Sequence, residues 1–225
     1  MIGTGAMTDP YIPLEMELCT VRKALSLIYE YGFGVTVQTK SDRILRDLDL
    51  LQKINEKTKC VVQMTLTTCD EELCRKIEPN VCTTKKRFEV LKKMRDAGIP
   101  TVVWLSPILP YINDTRENIQ GILEYCRDAG VYGIICFGMG MTLRQGDREY
   151  YYAALDRHFP GLHEKYHKRY GYDYELPSDR SGELMAYFKT FCAENHIVSN
   201  VDEIFVYLHA FPENKGYEQL SLNLL

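Results

Sequence analysis

Five short apolar runs lie in residues 1–141, and each is followed by side chains with chemistry to offer. The followers are Thr8-Asp9, Thr39-Lys40-Ser41, Thr65-Leu66-Thr67-Thr68, Ser106-Pro107 and Gly138-Met139-Gly140. Ligands in parallel α/β architectures bind beyond the carboxyl ends of the strands, so if the runs are parallel strands these groups share one rim. The rim then carries hydroxyls, a cation, a carboxylate and bare glycine backbone, a set suited to a small zwitterionic ligand with a carboxylate and a ribose. Lys40 is expected to pair with that carboxylate, and the hydroxyls of Thr8 and Thr65 to hydrogen-bond the amino-acid part. Asp9 and Thr67 sit on the same rim, and the glycines flanking Met139 let a flat adenine approach the backbone. Taken singly, each residue also suits a solvated turn; their recurrence at successive run ends is what points to a site.

Other stretches offer rival chemistry. His163-Glu164-Lys165-Tyr166-His167 matches H-E-x-x-H, in which two histidines one helical turn apart bind zinc and the glutamate activates water. Glu183 is available as a third ligand. Pro160-Gly161 puts the pattern in the first turn of its helix and its surroundings are polar, which favours a chance match on a solvated helix over a zinc hydrolase. Tyr150, Tyr151, Tyr152, Tyr166, Tyr170, Tyr172 and Tyr174 are interleaved with Arg144, Arg148, Arg157, Lys165, Lys168 and Arg169. Two readings fit them: a stacking and phosphate-contacting surface for nucleic acid, or a cover that packs its rings on the main core. The terminal Gln219-Leu220-Ser221-Leu222-Asn223-Leu224 resembles the glutamine-leucine peptides by which bacterial repair proteins dock on the replication sliding clamp; an ordinary loose terminus is the other reading.

The elements that must position these groups are legible from punctuation and period. Arg95-Asp96-Ala97-Gly98 recurs as Arg127-Asp128-Ala129-Gly130, and each copy leads into an apolar run, Thr101 to Leu105 and Gly133 to Phe137. A glycine just past a helix followed by a run buried on both faces reads as helix, then parallel strand. Val35 to Thr39, Cys60 to Leu66 and Ile2 to Ala6 complete a series of five. Between them, Ile119, Ile122, Leu123 and Cys126 form one helical stripe, with Asp114 placed to cap and Glu117 following, and Phe88, Leu91 and Met94 form another. Five strands separated by helices imply a parallel sheet of right-handed crossovers. A closed eight-stranded barrel takes roughly 250 residues, so a partial TIM-type (β/α) barrel is the expectation. Beyond it, Ser181 to Glu194 is expected to be helical, Asp202 to His209 a last strand, and 216–225 a flexible tail.

Composition narrows the function classes. The 225 residues, 45% hydrophobic and 26% charged, suit one globular unit, read as βα repeats (1–141), a helical and aromatic extension (142–215) and the tail (216–225). A net charge of -4 and a pI near 5.8 give no global attraction to nucleic acid. Eight scattered cysteines read as reduced thiols in the cytoplasm. No apolar run reaches the ~18 residues of a membrane span.

The ordered series Gly3-Thr4-Gly5-Ala6-Met7-Thr8-Asp9-Pro10-Tyr11-Ile12-Pro13-Leu14-Glu15, Gln38-Thr39-Lys40-Ser41, Arg46-Asp47, Thr65-Leu66-Thr67, Glu78-Pro79, Trp104 to Pro110 and Phe159-Pro160-Gly161-Leu162 covers nearly the whole chain. It resembles the radical S-adenosylmethionine (radical SAM) proteins related to spore photoproduct lyase, often labelled DNA repair photolyases. The resemblance implies a partial (β/α)6 barrel whose first strand leads into a C-x3-C-x2-C loop binding a [4Fe-4S] cluster. The fourth iron of that cluster chelates S-adenosylmethionine and cleaves it reductively to a 5'-deoxyadenosyl radical. By position in the motifs, Thr8, Lys40 and Thr65 match residues that contact S-adenosylmethionine, and damaged DNA is the implied substrate. Two departures stand out. No C-x3-C-x2-C occurs in this sequence, and Ala6 occupies the place of the hydrogen-donating cysteine of spore photoproduct lyases. The chain is therefore expected to lack the first βα unit with its cluster loop, to expose a sheet edge at Ile2 to Ala6 that favours a homodimer, and to be inactive alone. A remnant protein that still holds S-adenosylmethionine is the alternative.

Overall fold

The computed structural model describes residues 1–211. The clamp-like peptide Gln219 to Leu224 lies outside the described residues.

Five strands, β1 (Ile2–Thr4), β2 (Val35–Thr39), β3 (Cys60–Leu66), β4 (Thr101–Leu105) and β5 (Gly133–Ile135), pair in that order, every pair parallel. The connections carry α1 (Glu15–Leu18), α2 (Thr20–Glu30), a 3-10 turn (Asp42–Asp47), α3 (Leu48–Lys57), α4 (Glu71–Ile77), α5 (Thr84–Asp96) and α6 (Arg116–Ala129). Gly98 and Gly130 take φ values of 73° and 66° just past α5 and α6, the left-handed stop that their repeated tetrapeptides foretold. Alternate strand residues point outward: Val37, Val62, Met64, Val103 and Ile134 share one core with Leu51, Ile54, Leu91, Met94, Ile122 and Cys126 of the helices. The fold is a partial (β/α) barrel.

Beyond the sheet come β6 (Gly140–Thr142), α7 (Asp147–His158), α8 (Leu162–Tyr170), β7 (Glu175–Pro177), α9 (Ser181–Glu194) and α10 (Val201–His209), with β6 and β7 paired antiparallel. The tyrosines of this extension form their own core: Tyr152, Tyr166 and Tyr170 bury with Leu143, Leu155 and Leu176. The Tyr166 hydroxyl donates to the Pro110 carbonyl. These three act as a packed cover while Tyr150, Tyr172 and Tyr174 are exposed, and residues 142–180 balance seven Lys or Arg against seven Asp or Glu, leaving no net positive charge for a polyanion.

Two expectations need correction. The run Asp202 to His209 is helix, not strand. Asn200 caps it by accepting the Glu203 N–H at 3.1 Å, and Ile204 and Leu208, one turn apart, bury against Val61, Val102 and Ile135 while Val206 between them is 71% exposed. This helical period plugs the inner face of the sheet from below. Asp114 does not cap α6; Thr115 does, accepting the Asn118 N–H at 3.2 Å. Asp114 instead accepts from the Ser178 hydroxyl and ties the extension to the barrel. At the other end of the sheet β1 pairs, among the described residues, only with β2, and all three of its residues are exposed.

Candidate functional site at the carboxyl ends of the strands

The segment after β1 is fastened before it can contribute anything. Gly5 has φ 97°, and a Cβ there would lie 1.9 Å from the Gln38 carbonyl oxygen, so only glycine permits this approach. Asp9 accepts from the Thr39 hydroxyl (2.7 Å), the Lys40 N–H (2.7 Å) and the Tyr11 N–H (2.9 Å), splicing the loop to the tip of β2. Tyr11 donates to the fully buried Asp47 at 3.1 Å, and Asp47 pairs with Arg22 and Arg46 at 3.0 and 2.7 Å. Glu15 pairs with Arg46 at 2.9 Å and accepts the Thr20 and Val21 N–H groups at 3.0 and 2.9 Å, satisfying the free donors that start α2. Most of the motif that looks functional in the sequence is thus a clamp.

The tip of β3 is held still more firmly. The Thr65 carbonyl accepts from Arg87 Nη1 at 3.0 Å, the Thr67 carbonyl from Asn113 and Asn118 at 2.8 and 3.2 Å, and the Thr68 carbonyl from the Thr84 hydroxyl at 2.6 Å. The Thr67 hydroxyl donates to Glu78 Oε2 at 2.6 Å. Lys40 Nζ lies 2.7 Å from Glu78 Oε1, and Arg87, wholly buried, lies 3.0 Å from Oε2. Burial alone would push the Glu78 carboxyl up, but the charges of Arg87 and Lys40 overcome it and hold the group below the ordinary carboxylate range. Lys40, Thr65, Thr67 and Asp9 are therefore joined in one bonded chain through Glu78 and Arg87.

The other expected residues are placed differently. Thr8 sits exposed on the loop beside Asp9, outside the hydrogen-bonded chain. The Met139 side chain is buried in the main core, its carbonyl accepting the Ser178 N–H at 2.8 Å. What reaches the rim near it is backbone: Gly138, Met139 and Gly140 line a groove of about 810 Å³ with Ser106, Pro107, Phe137 and Tyr174, within the usual size of ligand pockets (roughly 300–1,000 Å³). The inner face of the sheet leads to this rim. Trp104 Nε1 donates to Gln63 Oε1 at 2.7 Å, and Gln63 Nε2 donates to the Thr36 hydroxyl at 2.7 Å. Thr65 pairs across the ladder with Trp104 on that same face. The Phe137 ring, 70% exposed, lies 6.0 Å from Trp104.

Metal chemistry finds no donor set here. Among the described residues no group of three histidine, cysteine or carboxylate side chains is placed to hold a metal ion. His163 pairs with Asp156 at 2.8 Å and Glu183 with Arg180 at 3.1 Å, so two of the three expected zinc ligands are engaged elsewhere. Metal-binding sulfur is thiolate, and burial pushes the Cys136 thiol up to about 11 and those of Cys60 and Cys192 to about 12. These residues do not fit a [4Fe-4S] cluster. The rim offers a cation, Lys40, at the tip of β2, and toward β5 and β6 a groove of glycine backbone and aromatic surface whose lining includes Glu175 and not Lys40 or Thr65.

Among the described residues no helix is long and apolar enough to cross a membrane.

Comparison with known proteins agrees with this geometry. The family model described as the Radical SAM superfamily matches residues 1–126. Protein Rv2578c of Mycobacterium tuberculosis is 27% identical over 169 residues, 75% of this chain and 49% of that protein. Protein ORF301 of Acidianus two-tailed virus is 30% identical over 158 residues, 69% of this chain and 50% of that protein. The chain thus spans about half the length of these curated relatives. A solved mutant of spore photoproduct lyase superposes with a TM-score of 0.56 at 15% identity, covering 85% of this chain and 57% of that one, which speaks to fold. Another mutant of that lyase, holding dinucleoside spore photoproduct, gives the same score of 0.56. Carrying the family's sequence pattern over more than half its length on a sheet of the matching kind, the chain belongs to the Radical SAM superfamily.

Proposed function

We propose that this chain holds S-adenosylmethionine at the carboxyl ends of β2, β3 and β5, as part of a radical SAM enzyme similar to spore photoproduct lyase. The reading rests on the convergence of Lys40, Thr65 and Thr67 around Glu78 and Arg87. Lys40 Nζ spends one of its three donors on Glu78 and has two left for the ligand carboxylate. The Thr65 hydroxyl, on the inner face above Gln63, serves the amino group. The glycine backbone beside Met139 takes the adenine. S-adenosylmethionine supplies a sulfonium whose carbon-sulfur bond is cleaved in this family by an electron from the cluster. The cluster's ligands are not in these residues, and no electron-transfer step is assigned to them.

The substrate reading is DNA. The exposed Phe137 and Tyr174 rings flank the groove, and exposed rings beside such a groove can stack on an unpaired base. Ala6 replaces the donor cysteine, so the reaction need not return hydrogen as spore photoproduct lyase does. A second reading, a protein that holds S-adenosylmethionine without cleaving it, is favoured by the unfit cysteines.

Trp104 is the single tryptophan and faces the site, so its fluorescence reports occupancy. S-adenosylmethionine is expected to change the emission saturably, with weaker binding by Lys40→Met. No ligand-dependent change in fluorescence or in ligand-observed NMR would sink the proposal. Because these residues do not fit the cluster, anaerobic incubation of the chain with ferrous iron, sulfide and a reductant is expected to give no 5'-deoxyadenosine, and its appearance would overturn the reading of a protein that holds S-adenosylmethionine without cleaving it.

A further inference from the structure

Glu78 has a task that its burial alone does not explain. It sits at the end of α4 and shares its carboxylate among three donors: Lys40 on Oε1, Thr67 and Arg87 on Oε2. Arg87 is itself fixed, with Nε on the Cys82 carbonyl at 2.9 Å and Nη1 on the Thr65 carbonyl at 3.0 Å. Exposure falls stepwise inward, the side chains being 34% exposed at Lys40, 9% at Glu78 and 0% at Arg87. A pair built only to stabilise the core would be neutral, Arg87 balancing Glu78. Lys40 is the outermost member, its ammonium held by Glu78 and its backbone N–H by the Asp9 carboxylate, each at 2.7 Å.

We propose that Glu78 is the positioning residue for Lys40, holding its ammonium at the rim to meet the carboxylate of S-adenosylmethionine. The inference rests on the reading of this rim as an S-adenosylmethionine site. A free lysine side chain surrenders its rotamer freedom when a ligand fixes it. Here Glu78, anchored by Arg87 and Thr67, has imposed that order beforehand, so the ligand meets a preorganised cation. The tip of β3 is pinned by the same guanidinium, which keeps Thr65 and Lys40 in fixed relation.

Glu78→Asp keeps the charge and withdraws the carboxylate by one methylene. In the full chain, affinity is measured by ligand-observed NMR for S-adenosylmethionine and for 5'-methylthioadenosine, which has the same nucleoside and sulfur but no carboxylate. Glu78→Asp is expected to weaken S-adenosylmethionine roughly tenfold, about the freedom of one long side chain, and to leave 5'-methylthioadenosine unchanged. In a Lys40→Met background Glu78→Asp should add nothing. Thr67→Val, which removes one bond to Glu78 and perturbs packing least, should show the same pattern more weakly and serves if Glu78→Asp fails to fold by thermal melting. Equal losses for both ligands, or a full further loss in the Lys40→Met background, would reduce Glu78 to a structural role and overturn the inference. Wild-type chain that binds S-adenosylmethionine while Glu78→Asp binds it equally also overturns it, leaving the site reading intact; wild-type chain that does not bind S-adenosylmethionine overturns both.

Discussion

Arg87→Met isolates the energetics of the buried ion network. Arg87 is wholly buried and Glu78 nearly so, at side-chain exposures of 0% and 9%. Methionine fills much of the volume of the arginine stem, so the loss is chiefly electrostatic and polar. Glu78 loses its fully buried cationic partner while the carbonyls of Thr65 and Cys82 lose their donors. Removing one partner of a buried pair typically costs about 3–5 kcal/mol. In a domain of 150–250 residues, each kcal/mol shifts the melting temperature by about 2–4 °C, so a fall of roughly 6–20 °C is expected by calorimetry. Lys40 stays on Glu78 and is 34% exposed, which argues for the lower half of that span. The double variant Arg87→Met, Glu78→Leu removes the stranded charge and should recover at least about half the loss, since well-packed apolar replacements of buried pairs are often neutral. A single variant that melts within about 2 °C of wild type, or a double variant less stable than the single, would refute the view that Glu78 depends on Arg87 for its charge.

Further expectations follow from single features. Because Glu78 is held below its ordinary 4.5 by Arg87 and Lys40 against the effect of burial, its stabilisation is fully present above the unfolded carboxyl's pKa. It is lost as pH falls through the depressed folded value, so Glu78→Gln should flatten the acid limb of a melting profile taken from neutral pH to below 4.5; an unchanged limb counts against the shift. Gly5→Ala drives a Cβ to within 1.9 Å of the Gln38 carbonyl oxygen at φ 97°, and chemical denaturation should show a loss of more than about 2 kcal/mol. His163→Ala removes an exposed pair with Asp156 and a ring contact with Tyr152 at 4.6 Å and should change stability by less than about 2 kcal/mol; zinc that copurifies with wild type and is lost in the variant would contradict this. The open edge of β1 should support self-association that Ile2→Lys reduces, and a monomeric sedimentation profile for wild type at high concentration would tell against it.

The sheet was readable because each of its strands is an apolar run ended by a tight, chemically marked turn. Val35 to Thr39, Cys60 to Leu66 and Thr101 to Leu105 match the observed strands residue for residue. Asp202 to His209 suits strand as well as helix in sequence, because an unbroken apolar run such as Ile204 to Leu208 has no period of its own. The deciding signals were Asn200 as a cap and the acidic first turn, Asp202 and Glu203. At the rim, the strand tips place Lys40, Thr65 and Thr67 from sequence alone, whereas Glu78 stands out only within a motif and Arg87 falls outside every motif. Yet Arg87 had a signature. It falls on the stripe Arg87, Val90, Leu91 and Met94 of α5, where helical spacing turns inward, and a cation on an apolar stripe requires a buried anion to meet it. The need for such an anion follows from sequence; which carboxylate supplies it depends on how α4 ends against β3, and that is set by tertiary packing.

That distinction bears on what motif residues mean in this fold. Asp9, Tyr11, Glu15, Arg46 and Asp47 read as chemistry because they are polar and regularly placed, but their groups are spent on backbone N–H donors and on one another. A loop that must present ligand contacts next to a sheet edge has few apolar contacts to fix it, since among the described residues β1 has one neighbouring strand and its own residues are exposed. Charge-assisted bonds to buried partners then supply the order that packing supplies elsewhere. The same logic repeats at β3, where Arg87, Asn113, Asn118 and Thr84 hold successive carbonyls of the tip. Polar residues at strand ends therefore divide by whether their donors and acceptors are exhausted within the chain. Asp9 is exhausted, whereas Lys40 retains two donors at a partly open rim, and by that criterion Lys40 is the group left to meet a ligand.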